Sequence, residues 1–223
     1  NLVREAYGEV GMNENGVAMS ATVSTSNNEK AEAADPLVDT GICEISLNSV
    51  VLMTAESARD GVEKLAKIID TYGSGECNSF TISDANEVWD FETLSGHQYV
   101  AIKMPADKVS VNPNMVVMNE IDVADTENVI ASKGLISVPM ENGFLVSSQK
   151  GEVDDAQITK IDIQKTYGSE DFGDGQYFRY WQGVNYLNEA LSETVSVARE
   201  GDAAPEGPFN MLFEADHDLT TYE

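Results

Sequence analysis

The stretch GMNENGVAMSATVSTSNNEK, residues 11–30, decides the fold. Asn15-Gly16 is the pair that most readily adopts the positive φ angles of a two-residue turn, and apolar residues flank it. The stretch therefore predicts a β-hairpin. In residues 17–24, apolar side chains alternate with small and hydroxylated ones, which predicts a strand with one apolar face and one hydroxyl face. Ordinary β-propensity is the alternative explanation for each hydroxyl.

Two amphipathic helices are predicted farther along the chain. In residues 55–72 apolar side chains recur at helical spacing, with Ser57 or Thr54 as the N-cap and Gly73 as the C-terminal stop. In residues 176–191 a broad aromatic and aliphatic stripe predicts a second helix with its stripe in the core.

The pattern between these helices is typical of strands. Residues 79–83, 87–93 and 98–104 are separated by residues that favour turns, so they predict an antiparallel meander. Other segments are expected to be a loop with short helical pieces (26–48), an extended stretch broken at Pro113 (109–117), a loop leading into a short helix (119–133), further strands and connections (134–148 and 152–163) and a loop (201–208). Helices separated in sequence from meandering strands predict one α+β domain over residues 1–223.

The composition excludes several classes of partner. The chain has 39 acidic and 13 basic residues and a formal charge of −26, so nucleic-acid phosphates and anionic membranes would repel it. The charge either attracts cationic groups such as peptide amines or only keeps the surface solvated. No apolar run reaches the ~20 residues that span a bilayer, so a transmembrane protein is not expected. The compartment stays open between the bacterial cytoplasm and secretion.

The few cysteines and histidines do not predict a metal centre. Cys43 and Cys77 lack metal-ligand spacing, and only His97 and His217 are available to join them. We therefore expect no metal and no organic cofactor. Both cysteines are expected to be structural.

Several sequence blocks along the chain, taken in their order and combination, are similar to those of a known family. They are GMNENGVAMSAT (11–22), ADP (34–36), SARDGVEKL (57–65), EVWDFETLSGH (87–97), VNPN (111–114) and YFRYWQGVNYL (177–187). Together these blocks resemble the PepD-type dipeptidase family, of which the eukaryotic secernins are relatives.

This resemblance implies a fold and a chemistry. The fold is the N-terminal-nucleophile hydrolase architecture, a four-layer αββα sandwich shared with bile-salt hydrolases and penicillin V acylases. The chemistry is hydrolysis of short peptides by the thiol of an N-terminal Cys. The α-amine of that Cys titrates near ~7.7 to 8.0 and takes the proton.

The chain departs from the family pattern at its start. The opening block that carries the nucleophilic Cys has no counterpart in these 223 residues. Cys43 and Cys77 cannot replace it, because an internal residue has no free α-amine. The resemblance therefore implies an interior piece of a dipeptidase, inactive by itself, with an incomplete sandwich. Because a missing inner strand exposes backbone groups on its neighbours, edge-to-edge association into a homo-oligomer is expected.

The resemblance also implies catalytic residues. Asn114 in VNPN matches the asparagine whose amide stabilises the tetrahedral intermediate, with Asn112 as a weaker alternative. Arg179 resembles an arginine that stabilises a thiolate or orients a substrate carboxylate. The alternatives are a turn-forming asparagine and a surface arginine paired with an acid.

Three residues of the hairpin complete the prediction. Thr22 is a candidate catalytic residue, and Ser20 and Asn13 are candidate substrate-binding residues. The first two lie on the hydroxyl face, at the level where acylase relatives supply an oxyanion-hole residue. For Asn13 a turn-forming role is the alternative.

Two other functions remain open at this point. One is a non-catalytic acidic interaction domain that has kept the fold and lost the chemistry. The other is an acylase of the bile-salt-hydrolase or penicillin-acylase type, which cleaves a different amide.

Overall fold

The structure is a computed structural model of the chain. It describes residues 8–23, 26–169, 174–195 and 209–219, without the side chains of Thr22, Val23 and Asp174. The strands are β1 (Val10–Met12), β2 (Ala18–Val23), β3 (Asn78–Ser83), β4 (Val88–Thr93), β5 (Tyr99–Lys103), β6 (Val109–Ser110), β7 (Glu120–Asp122), β8 (Val129–Ala131), β9 (Lys160–Asp162) and β10 (Leu212–Phe213). The helices are α1 (Glu29–Ala34), α2 (Glu44–Leu52), α3 (Ala58–Tyr72), α4 (Ser137–Glu141), α5 (Ile163–Tyr167), α6 (Asp174–Leu187) and α7 (Glu189–Ser192).

A six-stranded antiparallel sheet organises the described part of the chain. Its strand order is β1-β2-β3-β4-β5-β8, and two smaller antiparallel pairs, β6 with β10 and β7 with β9, lie apart from it. The mixture of helices and antiparallel strands confirms the α+β prediction. The meander predicted for residues 79–104 is confirmed as β3, β4 and β5. Among the described residues, no helix combines the length and the apolar character needed to cross a bilayer.

The opening hairpin is confirmed, but its predicted two-residue turn is wrong. Met12 pairs with Ala18, so the whole of residues 13–17 forms the loop. The side-chain oxygen of Asn13 accepts hydrogen bonds from the backbone N–H groups of Asn15 and Val17, both at 3.0 Å. Those side-chain bonds stabilise a wider loop, in which Gly16 has φ +77°.

Helix α3 begins and ends at the predicted signals. The Ser57 hydroxyl accepts a hydrogen bond from the Asp60 N–H at 3.2 Å, which is the predicted N-cap. Gly73 follows the helix with φ +75°, where a Cβ atom would approach Val38 to 2.4 Å. The predicted loop with short helical pieces contains α1 and the first part of α2. Helix α2 continues to Leu52, beyond the end of the predicted region at residue 48.

The predictions for residues 119–163 are largely wrong. Short strands β7 and β8 occupy the region of the predicted helix, and α4 lies where a strand was expected, whereas β9 lies within the strand region predicted for 152–163. β7 pairs with β9 through Ile121 and Ile161, and β8 pairs with β5 through Ile130 and Ala101. Strands of three residues are too short to show a period of two in the sequence. They are stabilised by pairing with strands that are distant in sequence.

The central sheet has two different faces. We call the side covered by α2 and α3 the helix face; its buried side chains include Phe80, Trp89 and Phe91. We call the opposite side, which carries Ser20, Thr81 and Asp90, the polar face. A second apolar cluster, which includes Tyr180 and Val184 of α6, covers the β4–β5 end of that side. These two buried residues confirm that the stripe of the last long helix belongs to the core.

Candidate functional site

Polar side chains form two rows across the polar face. In the first row, Ser20 of β2 pairs with Thr81 of β3, which pairs with Asp90 of β4. In the second row, Thr22 pairs with Ser79, which pairs with Glu92. Paired residues in neighbouring strands point to the same side of a sheet. The hydroxyl face predicted for the hairpin strand therefore extends over three strands and ends in two carboxyl groups.

This face is open at one end and closed at the other. Ser20 and Thr81 are exposed, and on β1 the side chains of Val10 and Met12 are 74% and 72% exposed on the same side. Asp90, Ser79 and Glu92 are buried. The face is thus accessible at β1–β3 and covered from β4 onward.

The two carboxyl groups have different partners. Asp90 accepts hydrogen bonds from the Ser79 hydroxyl at 3.3 Å and from the side-chain amide of Asn112. Glu92 accepts a hydrogen bond from the Val117 N–H at 3.1 Å through Oε1 and also interacts with the Met118 N–H, while its Oε2 has no hydrogen-bond partner of normal geometry in the described part of the chain. Burial raises the pKa of Asp90 to about 7. Burial, followed by the nearby Asp90 charge, raises the pKa of Glu92 to about 8.

A cleft of about 1020 Å³ opens near this end of the sheet, and neither Asp90 nor Glu92 is part of its lining. Its wall includes Val88, two residues from Asp90 on the same strand, and Ile102, the direct partner of Asp90 on β5. All three side chains point to the polar face. Acidic residues are also part of the lining: Asp84, Glu87, Asp122 and Asp125. The lining also contains Lys103 and Lys108, and Lys103 forms an ion pair with Glu87 at 2.7 Å, so the acidic side chains outnumber the basic ones four to two.

The VNPN segment lies over the polar face. Asn112, the weaker of the two predicted asparagines, contacts the sheet directly through Asp90. The backbone N–H of Asn114 donates to Gln176 Oε1 at 2.9 Å, which links the segment to α6. Asn114 itself is half-buried. The segment therefore bridges the sheet and α6, and the catalytic role of Asn114 stays a prediction.

Arg179 and the hairpin residues occupy separate surfaces. Arg179 is exposed on α6, whose residues Tyr180 and Val184 face the core, and in the described residues it forms no ion pair. Ser20 is exposed on the polar face. Thr22 belongs to the same strand, but its side chain lies outside the described part. The roles predicted for these residues remain predictions.

The side chain of Asn13 connects the hairpin to α2. Its amide nitrogen donates to the carbonyl oxygens of Leu52 at 3.0 Å and Ala55 at 2.7 Å, at the C-terminal end of that helix. The Asn15 amide also donates to the Ala55 oxygen, at 3.1 Å. These bonds satisfy helix carbonyls that have no partner within the helix. They give the MNENG block a structural role, and substrate binding by Asn13 stays a prediction.

The ADP and SGH blocks meet at Asp35. Its carboxylate accepts hydrogen bonds from the Ser95 hydroxyl at 2.7 Å, the His97 N–H at 2.6 Å and the Gln98 amide at 3.1 Å, and it contacts His97 Nδ1 at 3.2 Å. Burial raises the pKa of Asp35, but these bonds together outweigh it and hold the pKa below the ordinary value. His97 is accordingly a partner of Asp35 at the end of a turn.

The two cysteine thiols have little nucleophilic character. Burial raises the pKa of Cys77 to about 12. Burial, followed by the Glu76 charge, also raises the pKa of Cys43. Neither thiol contacts a histidine within the described ranges. No group of three or more His, Cys, Asp and Glu side chains there is arranged to hold a metal ion. Because the thiolate is the reactive form, both cysteines fit structural roles.

Sequence reasoning missed the carboxyl pair. The block VWDFET carries aromatic residues Trp89 and Phe91 on one side and acidic residues Asp90 and Glu92 on the other. That alternation places two acids on one face of a strand with apolar neighbours. The period of two in this block is therefore the sequence signal that could have located the two carboxyl groups.

Comparison with known proteins identifies relatives of the chain. The family model described as Peptidase family C69 matches residues 2–206. The chain is 41% identical to "Probable dipeptidase B" of Streptococcus pyogenes serotype M3 over 182 residues, which cover 82% of this chain and 34% of that protein. It is 37% identical to "Probable dipeptidase" of Salmonella dublin over 194 residues, covering 86% of this chain and 43% of that protein. It is 36% identical to "Probable dipeptidase" of Latilactobacillus sakei over 187 residues, covering 83% and 37%. The chain thus spans well under half the length of these relatives.

Proposed function

Because the chain belongs to peptidase family C69, we propose that the complete protein is a dipeptidase that hydrolyses short peptides. The observation that carries the proposal is the family match over residues 2–206, together with relatives named as dipeptidases at about 40% identity. The proposal includes the αββα sandwich, of which the described sheet with α2 and α3 would form two layers. No metal or organic cofactor takes part in it.

The proposed nucleophile is an N-terminal Cys outside these 223 residues. The raised pKa values of Cys43 and Cys77 support this, because at neutral pH a thiol with a raised pKa carries little thiolate. His97 is engaged with Asp35 and so is not placed to activate either thiol. The chain described here would then supply the parts of the site that bind and stabilise, and it would be inactive alone.

The polar face is the proposed contribution of this chain to the site. Ser20 would bind the substrate amide from the accessible end of the face, and Thr22 on the same strand would act as a catalytic residue. Asn114 would stabilise the oxyanion, Arg179 would stabilise the thiolate or orient the substrate carboxylate, and Asn13 would bind the substrate. The exposed side chains of Ser20 and Thr81 on the polar face support this arrangement.

Amine release from a panel of dipeptides tests the proposal. The complete protein should hydrolyse dipeptides, and iodoacetamide should abolish the activity. The 223-residue chain should be inactive on the same panel. A complete protein without activity on any dipeptide would contradict the proposal.

A cysteine double variant separates the proposed nucleophile from the thiols of this chain. The complete protein carrying Cys43→Ala and Cys77→Ala should keep its dipeptidase activity within about twofold, since neither thiol reacts. Iodoacetamide should still inactivate it. Loss of activity with a normal melting temperature would show instead that one of the interior thiols takes part in the chemistry.

A further inference from the structure

A buried acid with an unpartnered oxygen marks a second kind of site on the polar face. Glu92 is 0% exposed, and Oε1 accepts the Val117 N–H while Oε2 has no hydrogen-bond partner of normal geometry in the described residues. Asp90, two residues away on the same side of β4, is 2% exposed. Asn112, which donates to Asp90, also has an unpartnered buried oxygen, Oδ1. Two buried acceptor atoms on this side of the sheet, Glu92 Oε2 and Asn112 Oδ1, thus have no matching donor among the described residues.

No described cation balances these acids. Within residues 8–23, 26–169, 174–195 and 209–219, no Lys, Arg or His forms an ion pair with Asp90 or Glu92. Two neighbouring carboxylates in a dry interior repel each other and pay a desolvation cost of several kcal/mol each when ionised and unpaired. A bound cation would offset that cost, and apolar residues at these two positions would avoid it altogether.

We propose that Asp90 and Glu92 form a binding site for one organic cation, an alkylammonium or a guanidinium, between the polar face and residues 112–117. Glu92 Oε2 and Asn112 Oδ1 are free to accept, and Asp90 adds a second charge. An ammonium group offers three donors and a guanidinium five, so either cation can satisfy these oxygens. The Ser79 hydroxyl donates to Asp90 and the Val117 backbone N–H donates to Glu92, so both carboxyl groups are already held in place.

Two sources offer this chemistry. One is a Lys or Arg side chain from the part of the complete protein that lies outside these 223 residues, since the relatives are more than twice as long as the matched region. The other is the α-ammonium of a peptide substrate that enters through the cleft lined by Val88 and Ile102. Only the second source rests on the proposed dipeptidase function.

Thermal unfolding of the complete protein without ligand tests the first source. Glu92→Gln keeps an oxygen that accepts the Val117 N–H but removes the charge. If a basic side chain occupies the site, it loses its partner, and the melting temperature at pH 8 should fall by roughly 5 to 10 °C. If no cation is bound, the substitution removes an unpaired buried charge, and the melting temperature should rise or stay the same. Asp90→Asn should change it in the same direction as Glu92→Gln.

Steady-state kinetics test the second source. If the substrate α-ammonium occupies the site, Glu92→Gln should raise KM for free dipeptides at least tenfold with a smaller change in kcat. It should leave KM for the N-acetylated dipeptides unchanged. Under this source the ligand-free melting temperature does not fall. Exposed Glu152→Gln is the matched control and should alter neither measurement.

The outcomes decide the inference separately from the proposed function. A lower ligand-free melting temperature supports a cation site occupied by a basic side chain of the protein. A rise in KM for free dipeptides alone supports a site occupied by the substrate α-ammonium. An unchanged or higher melting temperature together with unchanged KM values overturns the inference, even if the protein is an active dipeptidase. An inactive complete protein with a lower melting temperature for Glu92→Gln would overturn the dipeptidase proposal and keep the cation site.

Discussion

The two faces of the central sheet are built from the same strands but satisfy different requirements. On the helix face, Phe91 stacks against Tyr99 with ring centroids 5.3 Å apart and meets Phe80 edge-on at 6.3 Å. On the polar face, the neighbours of Phe91 in the chain are Asp90 and Glu92, both buried and both with raised pKa values. One face is optimised for packing, whereas the other carries groups that lower stability unless something binds them.

The signature blocks follow the same division. Asn13 connects the hairpin to α2, and Asp35 connects ADP to SGH. In SARDG, the Arg59 guanidinium lies 5.4 Å from the Trp89 ring and donates to the Glu127 carbonyl oxygen at 2.9 Å. The residues that make the chain recognisable are thus mostly structural contacts around the sheet. Recognising a family from such blocks identifies its scaffold before it identifies its chemistry.

The largest expected effect comes from removing the packing of the helix face. Phe91→Ala should lower the free energy of unfolding by about 4 kcal/mol, because the ring is fully buried between two aromatic neighbours. Val88→Ala, on the same strand but pointing to the polar face and 37% exposed, should cost less than about 1 kcal/mol. Urea denaturation of the two variants measures the difference. Similar losses for both would mean that the two faces do not differ in packing.

An effect of similar size is expected from pH. The folded pKa values of Asp90 and Glu92, about 7 and about 8, lie above the ordinary values of 3.8 and 4.5. The folded state therefore keeps protons that the unfolded chain releases, so stability falls as pH rises between these values and levels off above them. Taken singly, each group should lower the free energy of unfolding of the 223-residue chain by on the order of 4 kcal/mol over this range.

Asp90→Asn identifies the source of that pH dependence. The variant should show a smaller fall in unfolding free energy over the same pH range, while Glu152→Gln should reproduce the original slope. In the complete protein a bound cation would stabilise the ionised carboxylates. The free energy of unfolding would then rise with pH over this range instead of falling. An unfolding free energy of the 223-residue chain that increases through this range would disprove the raised pKa values.

Local signals predicted one part of the fold well. The cap at Ser57, the stop at Gly73 and the turns between β3, β4 and β5 depend on residues close in sequence, so the sequence alone locates them. The short strands of residues 119–163 depend on distant partners and were not predictable from local pattern. The hairpin loop lies between these cases, because the Asn13 side chain replaces the turn that Asn15-Gly16 favours.

The candidate site was predictable only in part. The hydroxyl alternation on β2 pointed to a polar face, and VNPN pointed to a segment that does contact it through Asn112. The carboxyl pair was missed because an acid on a strand is read as exposed unless its register with neighbouring strands is known. Burial of Asp90 and Glu92 depends on residues 112–117, which no local pattern places over the sheet.

The smallest stability effect is expected at the accessible end of the polar face. Ser20→Ala should change the free energy of unfolding by less than about 0.5 kcal/mol, because the side chain is exposed. In the complete protein the same change should raise KM for dipeptides by roughly 3- to 10-fold, which corresponds to the loss of one neutral hydrogen bond. Ser148→Ala, an exposed serine in a loop away from the sheet, should leave both quantities unchanged. A normal KM for Ser20→Ala would restrict substrate contacts to the buried end of the face, near Asp90, because the open end would then be only a solvated surface.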